Sequence, residues 1–149
     1  MSAMSPQIRE RVDGAFFWFV ATVTSDGAPH VSPMWLGSKG DLLLFNTAHG
    51  RIKERNLRHD PRVYLSNVAP GDPYDRVQIQ GRVVGFVDGA EADLDIDRLA
   101  QKYLGTDFSE LRVPGEQRVS VLIEPLRARH IVGVEKFPEG VLGQQADRG

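Results

Sequence analysis

The spacing of apolar and polar positions changes several times along this chain, and each change marks an element. Ser5-Pro6 is a good N-cap and first-turn pair, which predicts a short helix ending near Val12. "FFWFVATVT", Phe16 to Thr24, is rich in aromatic and β-branched residues, and Ser25-Asp26-Gly27 closes it as a hairpin turn. Both faces of that strand are apolar. Phe17, Phe19, Ala21 and Val23 are assigned to a barrel interior, and Phe16, Trp18 and Val20 to the other side. "PHVSPMWLG" reads as the returning strand and Lys39-Gly40-Asp41 as a second turn. "LLLFNT" completes an antiparallel three-stranded meander.

The next segment has helical spacing, with Ile52 and Leu57 turned inward. It stops where Pro61 forces His59 and Asp60 out of the α region. Beyond it "RVYLSNV" is a strand, "APGDP" a turn and "YDRVQIQGRVVGFVD" a long strand. Gly81 and Gly85 inside that strand mark bulges or bends, which barrels need at their corners. In "GAEADLDIDRLAQKYLG" acids alternate, yet Ala92, Ile96, Leu99 and Tyr103 share one helical face. Acids crowd its first turns, and Lys102 and Gly105 close its end. "QRVSVLIEP" and "RARHIVGV" are two further strands. The order βββαββαββ has too few helices for a parallel doubly wound sheet. It predicts a mainly β fold, an antiparallel barrel of six to seven strands with peripheral α-helices. One domain spans 1–149, with loose tails at 1–5 and 139–149.

Composition narrows the class. A chain of 149 residues suits one core, burying roughly 70% of the unfolded surface. Hydrophobic residues at 41% and charged residues at 26% exclude a disordered chain. The lack of cysteine removes disulfides, thiolate zinc sites and cysteine nucleophiles together. Glu10 and Asp13 stand where a signal peptide needs an apolar core. "AFFWFVATV" is far shorter than the ~20 residues that span a bilayer. A soluble, cytoplasmic protein with no membrane partner is expected. No glycine-rich phosphate loop or nucleophile elbow occurs. Asp93, Asp95 and Asp97 imitate a calcium loop, but Arg98 replaces its turn glycine and Leu104 its last acid. His30, His49, His59 and His130 fall in four elements without metal-ligand spacing, so no metal is expected.

Charge changes the picture at one place. "RIKERNLRHDPR", residues 51–62, holds five of the eighteen Lys and Arg residues of a chain whose net charge is −2. Arg51, Arg55 and Arg58 form a stripe, and such stripes usually only keep a helix soluble. The position of the segment supports a second reading. Its helix begins directly after a strand ending at Thr47, with Arg51 and Lys53 at the first turn. Cations there oppose the helix dipole, and an anion held between them and the free N–H groups removes the conflict. Nucleic acid is a poor candidate for that anion, given a pI near 6.1 and dispersed basic residues elsewhere. One small phosphorylated ligand needs only one such site.

"ATVTSDGAPHVSPMWL", "LLLFNTAHGRIKERNLRHDPRV" and "VQIQGRVVGF" together resemble the pyridoxamine-5′-phosphate-oxidase-like split β-barrel superfamily, over roughly residues 10–135. The helix and its exit, K-x-R-N-L-R-x-D-P-R-V, are similar to the actinobacterial flavin/deazaflavin oxidoreductase group B, which uses coenzyme F420. The resemblance implies an FMN-binding-type split barrel and a homodimer with two cofactor sites at the subunit interface. It implies that Thr47, Arg51 and Lys53 contact the cofactor phosphate and that Arg55 helps with its acidic tail. Ser32, Pro33 and Met34 match the strand lining the deazaflavin ring, and Tyr74 and Arg76 a strand start that reaches the cofactor across the dimer. Gln80-Gly81 matches a recurring pair on the long strand. FMN-using members typically carry an arginine on the strand that here reads "PHVSPMWL", which favours F420 over FMN. The implied activity is hydride transfer between reduced F420 and a small organic substrate. An FMN-dependent oxidoreductase and a non-catalytic cofactor carrier are the alternatives. No side chain is singled out as a proton donor. Trp35, Met34 and Tyr74 are candidates for an apolar substrate wall, or for packing.

Overall fold

The computed structural model describes residues 3–133; the expected tail at 139–149 lies outside them. In chain order the elements are α1 (Pro6–Asp13), β1 (Trp18–Val23), β2 (Pro29–Met34), β3 (Gly37–Lys39), β4 (Leu42–Ala48), α2 (Ile52–His59), β5 (Arg62–Ala69), β6 (Asp72–Asp88), α3 (Gly89–Leu104), a 3-10 turn (Ser109–Leu111) and β7 (Arg118–Ile131). Seven antiparallel strands form one sheet in the order β2-β1-β5-β6-β7-β4-β3. The sheet is not closed, as in a split barrel. No helix among the described residues is long and apolar enough to cross a membrane.

Several expectations need correction. The first strands do not form a meander. β2 pairs with β1, while β4 pairs with β3 and β7 at the other end of the order. Trp35 and Leu36 carry the chain across, Leu36 fully buried in the core. Gly37–Lys39 then forms a separate short strand, turning at Gly40 with φ +62°. The two strands read at the C-terminus are one. β7 bends rather than breaks where its register with β6 shifts opposite Pro125 and Arg127.

The parity of β1 is the reverse of the one expected. Trp18, Val20 and Thr22 point inward, and Phe19 is 49% exposed. The Thr22 hydroxyl accepts from the buried Asn56 amide of α2 at 3.0 Å, so a polar contact and the bulk of Trp18 fix that parity together. Phe17, just before β1, is also exposed, so the outer face of β1 and its neighbours carries Phe19, Val31 and Tyr64. In α2 Leu57 is buried as expected, but Ile52 is exposed. The helix continues through His59, and only Asp60 takes extended backbone before Pro61.

Other features follow directly from the residues. Ser5 caps α1 by accepting from the Ile8 N–H, and Met4, inside the segment read as a tail, is buried. Gly105 ends α3 in the left-handed conformation that glycine tolerates at least cost. Gly81 and Gly85 both lie at register shifts of β6. The main core is built from Trp18, Phe45, Leu65, Ile79 and Ile123 among others, and Leu44, Ile96 and Leu99 form a second cluster under α3. β4 is thus covered on both faces, which explains the apolar run at 42–45 that opens it and the burial that continues to its end.

Candidate functional site

The site is built where β4 runs into α2. Thr47 is buried at the strand end, Gly50 turns the chain at φ +83°, and Arg51 occupies the N-cap position. No side chain caps that helix. Instead the buried Glu54 carboxylate reaches back and accepts from the Gly50 N–H at 3.2 Å. Burial opposes ionisation of Glu54, but Arg58, the Gly50 N–H and His49 outweigh it and hold its carboxyl below the usual range. The helix start is therefore rigid, with one cation at its cap and another one residue inside it.

Beside it lies a cavity of about 280 Å³ with two unlike walls. One wall carries Thr47, Arg51, Lys53 and Arg118, and the other Phe17, Pro33, Met34, Trp35 and Phe108. Lys53 reaches across to β2, where its ammonium donates to the Ser32 hydroxyl at 2.9 Å. Among the described residues it has no carboxylate partner; burial, then the charge of Arg51, lower its pKa. Arg118, at the start of β7, is almost fully buried. Its Nε donates to Asn46 Oδ1 at 2.8 Å and its Nη1 to Glu116 Oε2 at 3.1 Å. The other Glu116 oxygen accepts from Arg51 Nη2. Two guanidinium groups thus share one carboxylate while Lys53 beside them has only a hydroxyl, and such an excess of positive charge in a partly dry cavity is stabilised by a bound anion.

The apolar wall is aromatic and fixed. Trp35 stacks on Tyr103 with centroids 5.3 Å apart and meets Phe108 edge-on at 6.3 Å. The Arg118 guanidinium lies 5.0 Å from the Phe108 ring centroid. The Tyr103 hydroxyl accepts from the Leu36 N–H at 3.0 Å and donates to the Phe16 carbonyl. A flat ring system with an anionic appendage fits a cavity of this kind: apolar rings on one side and charge-assisted donors on the other.

Of the residues singled out from sequence, Pro33, Met34, Thr47, Arg51 and Lys53 line this cavity, as does Trp35. Ser32 joins them through Lys53. Arg55, Tyr74 and Arg76 do not line it. Arg55 is exposed on α2, Tyr74 is exposed, and Arg76 folds back to donate to the Tyr74 carbonyl at 3.2 Å. Sequence reading missed Arg118, Asn46 and Glu116. A signal existed: Asn46 and Ser120 interrupt apolar strand runs, and Asp95 interrupts the buried face of α3. These polar residues form one buried chain. Asn46 donates to the Ser120 Oγ at 3.1 Å, and Ser120 donates to Asp95 Oδ2 at 2.8 Å. Together they hold Arg118 in place from behind.

Seven antiparallel strands in one open sheet define a split-barrel protein, here with a cationic helix start and an aromatic wall around one cavity. The chain belongs to the pyridoxamine 5′-phosphate oxidase family, whose model matches residues 4–131. Among solved structures it is similar to an F420 reductase, with 25% identity and a TM-score of 0.74 over 85% of this chain and 98% of that one. It is also similar to a conserved hypothetical protein from Mycobacterium tuberculosis, with 27% identity and a TM-score of 0.71 over 92% of each chain. A heme binding protein from Mycobacterium smegmatis shares the fold at 22% identity and a TM-score of 0.61, over 89% of this chain and 56% of that one. No curated protein matches the chain.

Proposed function

We propose that this chain is a cytoplasmic F420-dependent oxidoreductase that works as a homodimer, with the cofactor held at the subunit interface. The observation that carries the reading is the cation excess at the start of α2: Arg51, half-buried Lys53 without a carboxylate partner among the described residues, and buried Arg118. The bound deazaflavin supplies hydride transfer to or from a small organic substrate. The chain's own residues bind, orient and exclude water. Arg51 and Lys53 hold the phosphate, with the Thr47 hydroxyl beside them. Ser32, Pro33 and Met34 border the ring. Phe17 and Trp35 keep water from the apolar side.

The choice of F420 over FMN is supported by β2, which brings a serine rather than a cation to Lys53, and by likeness to an F420 reductase. The dimer is supported by position. Phe17 lines the cavity and is 61% exposed in the single chain, so a second copy would close the site as it covered the apolar face. Arg55, Tyr74 and Arg76 belong to this reading as residues reaching cofactor bound by the other subunit or its acidic tail.

The deciding experiment titrates apo protein with F420 and with FMN. F420 is expected to bind at least tenfold tighter, about 1.4 kcal/mol. FMN that co-purifies stoichiometrically and resists displacement by F420 would overturn the assignment. Oxidation of reduced F420 by an added electron acceptor then separates an enzyme from a carrier.

A further inference from the structure

We propose that Arg51 and Arg118 form a carboxylate-binding subsite which the protein fills with its own Glu116 until a ligand carboxylate replaces it. The inference rests on the reading of this cavity as a ligand site and adds a second anion position beside the phosphate anchor of Arg51 and Lys53, with Arg51 bordering both. Each Glu116 oxygen is taken by a different guanidinium, Oε1 by Arg51 and Oε2 by Arg118. The Glu116 side chain is only 13% exposed and that of Arg118 6%. A planar, two-oxygen anion shared between two arginine forks is the geometry that guanidinium groups recognise. Here the ligand is tethered.

Glu116 also has somewhere to go. It also lines a second cavity of about 420 Å³, with His49, Asp88, Asp93, Gln117 and Arg118. It follows Gly115, at φ +78°, in a turn closed by the Glu116 N–H donating to the Val113 carbonyl at 3.1 Å. Arg118 borders both cavities, and only the first adds Arg51 as a second cation. In the second, Asp88 already holds His49 at 2.7 Å, and Asp93 holds Arg112 at 3.0 Å. Glu116 therefore rests inward against Arg51 and Arg118 and leaves when an external carboxylate takes both. A short tether gives the internal group an effective concentration in the millimolar range, so a free ligand meets a masked site and its apparent affinity is reduced accordingly.

The test is calorimetric titration of the full-length protein with glutarate, whose end copies the Glu116 side chain, and separately with inorganic phosphate. Glu116→Gln keeps the shape and removes the competing charge. It is expected to bind glutarate at least tenfold tighter than wild type and to gain less for phosphate. Adding Arg51→Ala to that variant should abolish the gain. Unchanged or weaker glutarate binding by Glu116→Gln would overturn the proposal, and an equal gain for phosphate would overturn its carboxylate assignment. If circular dichroism shows that Glu116→Gln does not fold, Glu116→Asp, one methylene shorter, takes its place with the same expected direction. Neither probe is a deazaflavin. A failure of F420 to bind leaves this result standing, whereas tight F420 binding with unchanged glutarate affinity sinks the subsite alone.

Discussion

The Lys53 ammonium donates to the Ser32 hydroxyl at 2.9 Å, joining the first turn of α2 to the edge strand β2. A hydroxyl is a weak partner for a half-buried cation, and among the described residues no carboxylate competes for it. Lys53→Ala is expected to weaken F420 binding about 10- to 150-fold, the worth of one charge-assisted hydrogen bond of roughly 1.5–3 kcal/mol. Arg51→Ala should cost a similar factor. Both losses should shrink with added salt. Fluorescence titration at two ionic strengths checks this, and binding indistinguishable from wild type in both variants would reduce the helix to a charged surface.

The same pair predicts a pH dependence. Burial, then Arg51, lower the Lys53 pKa from 10.5, so in the empty site it loses its proton before an ordinary lysine does. Anion affinity should therefore fall as pH rises, beginning below 10.5. Stability runs the other way, because the unfolded lysine keeps its proton longer and unfolding becomes costlier across that window. In Lys53→Arg the fall in affinity should vanish, since arginine stays charged.

Phe19 tests the dimer. It stands exposed on the outer face beside Val31 and Tyr64, opposite in parity to buried Trp18 and Val20. Light scattering of the wild type should give twice the 16.6 kDa of one chain. Phe19→Asp should give the monomer mass with an unchanged far-ultraviolet circular dichroism spectrum. A wild-type monomer at micromolar concentration sinks the proposal.

Arg58 behaves differently from its neighbours on α2. It pairs with buried Glu54 one turn earlier and lies 4.1 Å from the Phe86 ring centroid. Arg58→Ala leaves that carboxylate with only the Gly50 N–H and His49. The expected loss is about 1–2 kcal/mol, above that of an exposed pair and below that of a fully buried one. Urea unfolding measures it. Cofactor affinity should stay near wild type in the folded fraction.

Gly81 is a packing residue. A Cβ there would lie 2.5 Å from Ile123 Cγ2 and 3.2 Å from the Glu124 carbonyl. Gly81→Ala should destabilise by roughly 1–3 kcal/mol through overpacking. Gly85→Ala, whose nearest contact is 3.6 Å, should cost less. Equal denaturation midpoints for the two variants would contradict this account.

What the sequence made legible was local. The strand–turn–helix from Leu42 to His59 and the left-handed stop at Gly105 follow from residues close together in the chain. The same holds for the placement of two cations, at 51 and 53, at the start of that helix. What stayed hidden depends on distant partners. The inward parity of β1 is set with Asn56, 34 positions from Thr22, because either face of an all-apolar strand satisfies the pattern alone. The jump from β2 to β3 is invisible because a turn signal does not say which strand comes next to which. Arg118 lies 72 positions from the Asn46 that orients it, and an arginine opening a strand looks like any surface residue.

β2 ends the sheet, and it carries Pro29 and Pro33. Proline is tolerated in a strand where its missing N–H would have pointed away from the ladder. Of the outward positions 29, 31 and 33, only Val31 then keeps a donor. The opposite edge, β3, is three residues long. Neither border offers a template for adding strands, so the protein can keep a greasy sheet surface without inviting fibrous growth. In the proposed dimer, self-association would be steered from open-ended stacking of backbones to closed pairing of side-chain faces.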